Sequence, residues 1–127
     1  MKKAQEIVAK FNQERGWDKD ITYLKDFLLN ICEETGEVWN LIKWINIEKQ
    51  KKVIEEHKDE WVDFIGDELF LVLKIAYLLD IDAQEAFEAT MRDYEKRFPA
   101  EKIRKLKHGN PLAGGVDDKK EAEESKK

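Results

Sequence analysis

The side chains best placed for chemistry are carboxylates set inside apolar helical patterns. Residues 31–44 read ICEETGEVWNLIKW. A helix turns by about 100° per residue, so Glu33, Glu34 and Glu37 fall within roughly 100° of one another on one side. Like charges at that spacing cost a few tenths of a kcal/mol per pair. A merely solvated face more often interleaves lysines. A second set, Glu60, Asp63 and Asp67, spans about 60° of another helix. Two such faces opposed across a bundle repel strongly unless a cation lies between them. Carboxylate oxygens suit a hard dication, Mg²⁺ or Mn²⁺. The competing arrangement has the two faces pointing separately to solvent.

The elements that must carry these groups are helices. Gly is 6 and Pro only 2 in 127 residues, which favours long helices with few turns. A first helix is expected from about Lys3 to Arg15, with Ile7, Val8 and Phe11 as its buried stripe and Gly16 as its C-cap. After a short turn at Trp17–Asp20, Asp20 or Thr22 serves as N-cap of a second helix, Tyr23 to Ile47. Its apolar residues, Leu24, Phe27, Leu28, Ile31, Val38, Leu41, Ile42 and Ile45, cover more than one side, so it is expected at the centre of a bundle. Gly36 within it costs up to about 1 kcal/mol relative to Ala. It admits the close approach of either a ligand or another helix.

The charged run from Asn46 to Lys58 reads as a connection or a solvated helical turn, with His57 in solvent. A third helix, Asp59 to Leu79, is expected to bury Trp61, Ile65, Leu69, Val72, Ile75, Ala76 and Leu79. A fourth runs from Ala83 to Arg97, with Asp82 as N-cap and Ala86, Phe87, Met91 and Tyr94 on one side. Phe98-Pro99 ends it, and Glu101 to Lys107 adds a basic turn. The fold class is all-α, a bundle of four to five helices over residues 1–107. Residues 108–127 are glycine-rich and then charge-rich, and read as a flexible charged tail that starts at His108.

Composition narrows the function. Charged residues make up 40% and hydrophobic residues 42%, the balance of a globular chain. The excess of 28 acidic over 23 basic residues gives −5, which argues against duplex nucleic acid as a partner. No apolar stretch approaches the ~20 residues of a membrane span. The longest, Leu69 to Leu79, is interrupted by Lys74. Residues 1–11 lack the apolar run of a signal peptide, and Cys32 is the single cysteine. Both features point to a reducing, cytoplasmic setting. A ferritin-like di-iron site is disfavoured, because no Glu-x-x-His pair is present.

Taken as an ordered set, several pieces resemble the all-α nucleoside triphosphate pyrophosphohydrolases, the MazG and dCTP pyrophosphatase group. They are Asn12-x-x-Arg15-Gly16-Trp17, Glu34-Thr35-Gly36-Glu37, Lys43-Trp44, Gly66-Asp67-Glu68-Leu69-Phe70, Ile81-Asp82 and Arg97-Phe98-Pro99. The resemblance covers roughly residues 5 to 99 and implies a MazG-like bundle, a homodimer or homotetramer, and Mg²⁺-dependent cleavage of a (d)NTP to the monophosphate and pyrophosphate. By that resemblance Glu34, Glu37 and Asp67 match metal-binding carboxylates, and Glu33 completes the acidic pair. Trp17 and Trp44 match base-stacking positions, and Arg97 matches a basic one. On this scheme Glu33 or Glu37 takes the proton of the attacking water, and Lys43 or Arg97 neutralises the leaving pyrophosphate.

Three positions depart from the family pattern. Phe64 stands where the family usually has a metal-binding Glu. Asp63, about 40° from Asp67 around the helix where Phe64 is about 60° away, is one substitute, and Glu60 is a second candidate one turn back. Thr90 and Tyr94 replace a frequent Lys and Asn. These departures keep two other readings open: a nucleotide-binding or regulatory relative with weakened catalysis, and a structural helical oligomer whose acidic faces are surface.

Overall fold

The structure, a computed structural model, describes residues 1–106. The expected tail at 108–127, His108 included, lies outside the described residues. Among the described residues every regular element is helical: α1 (Lys2–Glu14), a 3-10 turn (Ile21–Tyr23), α2 (Leu24–Ile42), α3 (Ile47–Glu56), α4 (Lys58–Leu78), α5 (Ala83–Arg97) and α6 (Ala100–Leu106). The chain divides into two compact units, Met1–Ala83 and a second beginning at Gln84.

In the first unit α1 ends in a glycine cap. Gly16 adopts φ +66, its N–H donates to Gln13 O at 3.1 Å, and the Trp17 N–H donates to Asn12 O at 3.0 Å. These two bonds make a Schellman motif. The cap reverses the chain and delivers Trp17 to the side of α1. Asp20 then accepts from Thr22 N–H at 2.9 Å and starts the next turn, as its residue type suggests.

α2 and α4 lie side by side and antiparallel. Thr35 Oγ1 donates to Glu68 Oε1 at 3.1 Å, and about two turns away, eight residues back on α2 and six further on along α4, Lys74 Nζ sits 4.6 Å from the Phe27 ring centroid. α1 packs on α4 through Phe11 and Phe70, whose rings meet edge to face at 5.6 Å. Gln5 ties the two ends together: its Nε2 donates to Ile81 O at 2.7 Å, and its Oε1 accepts from Ala83 N–H at 2.8 Å. Val8, Val38, Leu71, Leu73, Ala76 and Leu78 form the buried apolar core.

Several expectations need correction. The second helix stops at Ile42 rather than Ile47. Asn46 accepts from Lys49 N–H at 2.9 Å and caps a separate ten-residue helix, α3, where a connection or a solvated helical turn was expected. A short polar side chain followed by a charged helical run is an N-cap signal. The buried stripe of α4 is also different. Leu71, Leu73 and Leu78 are buried, whereas Ile65, Leu69 and Val72 are 55%, 44% and 47% exposed. α4 is apolar on nearly every side, so periodicity alone does not select its inner face. Ile7 of α1, expected inside, is exposed as well.

In the second unit α5 has the expected bounds. The basic segment after Pro99 is a helix, α6, rather than a single turn.

Candidate functional site

The two acidic faces meet. Glu34, Glu37 and Val38 of α2 and Glu60, Asp63, Phe64 and Asp67 of α4 line one cavity of about 390 Å³. Glu34 is half-buried there, within hydrogen-bonding reach of Asp67. Burial first, and then the charges of Glu37, Asp67 and Glu68, hold its carboxyl above the usual glutamate range. Glu68, which the sequence reading passed over, is fixed by the Thr35 hydroxyl. Asp63 and Glu60 both reach the cavity wall beside Asp67, in keeping with their helical angle. Phe64 reaches it too and fills with a ring the place of an expected carboxylate, packed edge to face against Trp61 at 6.0 Å. Glu33 is exposed and lies outside this wall.

Among the described residues, no three acidic, histidine or cysteine side chains draw their donor atoms together tightly enough to hold one metal ion. The carboxylates surround a space rather than converge on a point. That is the arrangement repulsion favours for flexible acids facing one another without a counter-charge. The donor set is all oxygen, is strongly negative and sits on rigid helices, so it fits a hard dication by chemistry.

A second cavity lies further along the same helix pair, with a volume of about 450 Å³. Trp17, Tyr23, Phe27 and Tyr77 give it aromatic walls, and Asn12, Asp18, Asp20 and Lys74 add polar and charged groups. Lys74 Nζ lies 4.2 Å from the Trp17 ring centroid, 4.6 Å from Phe27 and 5.7 Å from Phe70. Cation–π attraction stabilises an ammonium in such a cage, while burial holds the lysine below its ordinary pKa. Trp17 also packs against Phe11 at 5.8 Å and remains 47% exposed.

Lys43 and Trp44 of the first unit line neither cavity. Trp44 lies past the end of α2 and is 86% exposed. The structure therefore does not bring Trp17 and Trp44 together within one chain. Lys43 Nζ sits 5.8 Å from the Trp44 ring centroid. Arg97 belongs to the second unit, where it pairs with Asp93 at 3.4 Å and lies 5.1 Å from the Phe98 ring centroid. Gly36 has nothing within 4 Å of where a Cβ would stand, so no other described helix of the first unit packs closely on it.

The sequence did contain a signal for the second cavity. Lys74 is the only charge in the Leu69–Leu79 run, and a lone ammonium in an apolar helix needs an environment that tolerates it. Nothing comparable marked Tyr23, Phe27 or Tyr77 in advance, because aromatics at helical spacing read as core.

No protein-family model, curated protein or solved structure matches the chain. No described helix is long and apolar enough to cross a membrane.

Proposed function

We propose that the chain is a divalent-cation-dependent nucleoside triphosphate pyrophosphohydrolase of the MazG-like kind, releasing pyrophosphate from a (d)NTP. The observation that carries this reading is the meeting of two acidic helix faces at one cavity, with Glu34 pressed against Asp67. Five carboxylates on rigid antiparallel helices are a costly arrangement for a surface with no counter-ion.

In this reading Glu34, Glu37 and Asp67, with Asp63 or Glu60 in the role of the carboxylate that Phe64 replaces, would hold Mg²⁺ or Mn²⁺. An ion held there would supply positive charge for a polyanion, a Lewis acid for a phosphoryl oxygen and a lowered pKa for water. Glu37, exposed at the rim, takes the proton of the attacking water, with Glu33 one turn away as the second candidate. Trp17 offers a face on which a base stacks, a contact of about 1–3 kcal/mol. By the family resemblance alone, Lys43 or Arg97 would neutralise phosphate charge and Trp44 would stack on a base.

A homodimer or homotetramer fits the surface. Val62, Ile65, Leu69 and Val72 form one stripe along α4, each 44–61% exposed. Together with Trp39 on α2 they are more apolar surface than a lone chain ordinarily leaves in water.

Phe64 in the cavity wall favours one second reading, a nucleotide-binding relative with weakened hydrolysis. One experiment separates the two: the common (d)NTPs are incubated with Mg²⁺ or Mn²⁺, and the products are resolved by chromatography. Monophosphate with pyrophosphate supports the hydrolase. Tight binding without turnover supports the relative, and neither binding nor turnover leaves a helical oligomer.

A further inference from the structure

Two polar groups on the aromatic cavity are not used by the packing of the chain. Asn12 is 0% exposed. Its Nδ2 donates to Val8 O at 2.7 Å, which fixes the amide orientation and leaves Oδ1 a buried acceptor with no donor. An acceptor left unmet in the interior is a standing cost to the fold. Lys74 is the converse case, a donor held among aromatic rings with no ion pair to a carboxylate among the described residues. An apolar residue at either position would pack more cheaply.

The location is as informative as the chemistry. Phe27 precedes Glu34 by seven residues on α2, and Lys74 follows Asp67 by seven on α4. Seven residues are about two turns, which return to the same face some 10 Å along the helix. Because α2 and α4 are antiparallel, both steps lead the same way in space. The aromatic cavity is therefore set off from the acidic one by roughly the distance from a base to the outer phosphates of an extended nucleotide. Asp18 and Asp20 stand in the same wall and discourage an anionic occupant. A volume of about 450 Å³ is ample for a small ring system.

We propose that this cavity seats a neutral planar heterocycle of the nucleobase class, which stacks on Trp17, gives an N–H to Asn12 Oδ1 and accepts a hydrogen bond from Lys74. Lys74 and Asn12 are then the residues that determine which base is taken. The identity of the ring as part of a nucleotide rests on the pyrophosphohydrolase reading. A ring that offers only acceptors leaves Asn12 unmet, and one that offers only donors leaves Lys74 unmet. A site built on such buried polar groups rejects the wrong ring strongly, because mismatched groups stay desolvated and unpaired.

The test uses the full chain without metal, titrated with cytidine, uridine, adenosine and guanosine by calorimetry. The expected result is that at least one nucleoside binds and that Lys74→Met weakens it by about tenfold or more. Lys74→Arg retains part of the affinity, and melting curves verify that each variant is folded. The pyrimidin-2-one riboside, which lacks the exocyclic amine of cytidine, distinguishes wild type from Asn12→Leu: the wild type prefers cytidine and the variant does not. In hydrolysis, Lys74→Met raises KM and spares kcat. No nucleoside binding at millimolar concentration, or equal binding by wild type and Lys74→Met, overturns the proposal. Nucleoside binding that depends on Lys74 without turnover of any triphosphate upholds the base site and sinks the hydrolase reading. Turnover indifferent to Lys74 does the reverse.

Discussion

Glu34 and Asp67 face each other across the seam between α2 and α4, close enough for one carboxyl to hydrogen-bond the other. Burial first, and then the charges of Glu37, Asp67 and Glu68, hold the Glu34 carboxyl above the usual glutamate range. A carboxyl whose folded pKa lies above its unfolded value binds its proton more tightly in the native state. Stability therefore falls as pH rises from the ordinary glutamate value of 4.5 through the raised one, and stays lower above it. Melting temperatures of metal-free protein across that range should show this fall, and Glu34→Gln should flatten it and raise the melting point at neutral pH. Added Mg²⁺ or Mn²⁺ should stabilise the wild type at neutral pH and stabilise Glu34→Gln much less. A pH dependence of stability that is the same in wild type and Glu34→Gln contradicts a raised pKa at Glu34.

Glu37 offers a cleaner separation of fold from chemistry. It is exposed, so Glu37→Gln removes a charge without opening the core. In the hydrolase reading, pyrophosphate release drops by about a hundredfold or more, while helical content and melting point hold or rise as repulsion with Glu34 is relieved. Pyrophosphate release measured at saturating Mg²⁺ provides the check. An unchanged rate removes Glu37 from the reaction and leaves the acidic cavity without its base.

The helical class and the acidic cavity were legible in the sequence because each rests on local spacing. Glu34 and Glu37 share a face, as do Asp63 and Asp67, whatever the tertiary fold. That the two faces meet is a tertiary fact, since either could have pointed to water. The break at Lys43–Asn46 was missed because Ile42, Ile45 and Ile47 continue an apolar pattern, and the Asn46 cap decides against them. The inner face of α4 was missed for the opposite reason. With Ile65, Leu69, Val72, Leu71 and Leu73 all apolar, period 3.6 has no contrast to report. Asn12 was visible only as part of a motif, and its unmet Oδ1 exists only once Val8 O has claimed the amide nitrogen.

Gly36 tests whether something outside the chain approaches α2. A helical Gly with open space around its Cβ position gains about 0.5–1 kcal/mol on conversion to Ala. Gly36→Ala should therefore raise the melting point. If the open space serves a substrate or a second copy, the same variant should also lose turnover or self-association. A gain in stability with turnover and assembly both intact assigns Gly36 no role beyond the helix.

Ile65 does the same for the surface of α4. Val62, Ile65, Leu69 and Val72 recur at helical spacing and are 61%, 55%, 44% and 47% exposed. The stripe reads as the seam of a helix pair whose other half is not part of the same unit. A charge placed in the middle of such a seam must be buried without a partner, which costs several kcal/mol in association. Ile65→Glu should therefore dissociate the oligomer while each chain stays folded, because in the isolated unit this side chain already faces water. Sedimentation velocity of wild type and variant at matched concentration reads the outcome, with circular dichroism as the control for folding. An oligomer that survives Ile65→Glu uses another face, and a wild type that sediments as a monomer leaves this stripe unexplained by self-association. If the variant separates into folded monomers and loses pyrophosphate release as well, the site needs groups from two chains. The exposed Trp44, which reaches neither cavity of its own chain, is then the first residue to substitute in trans.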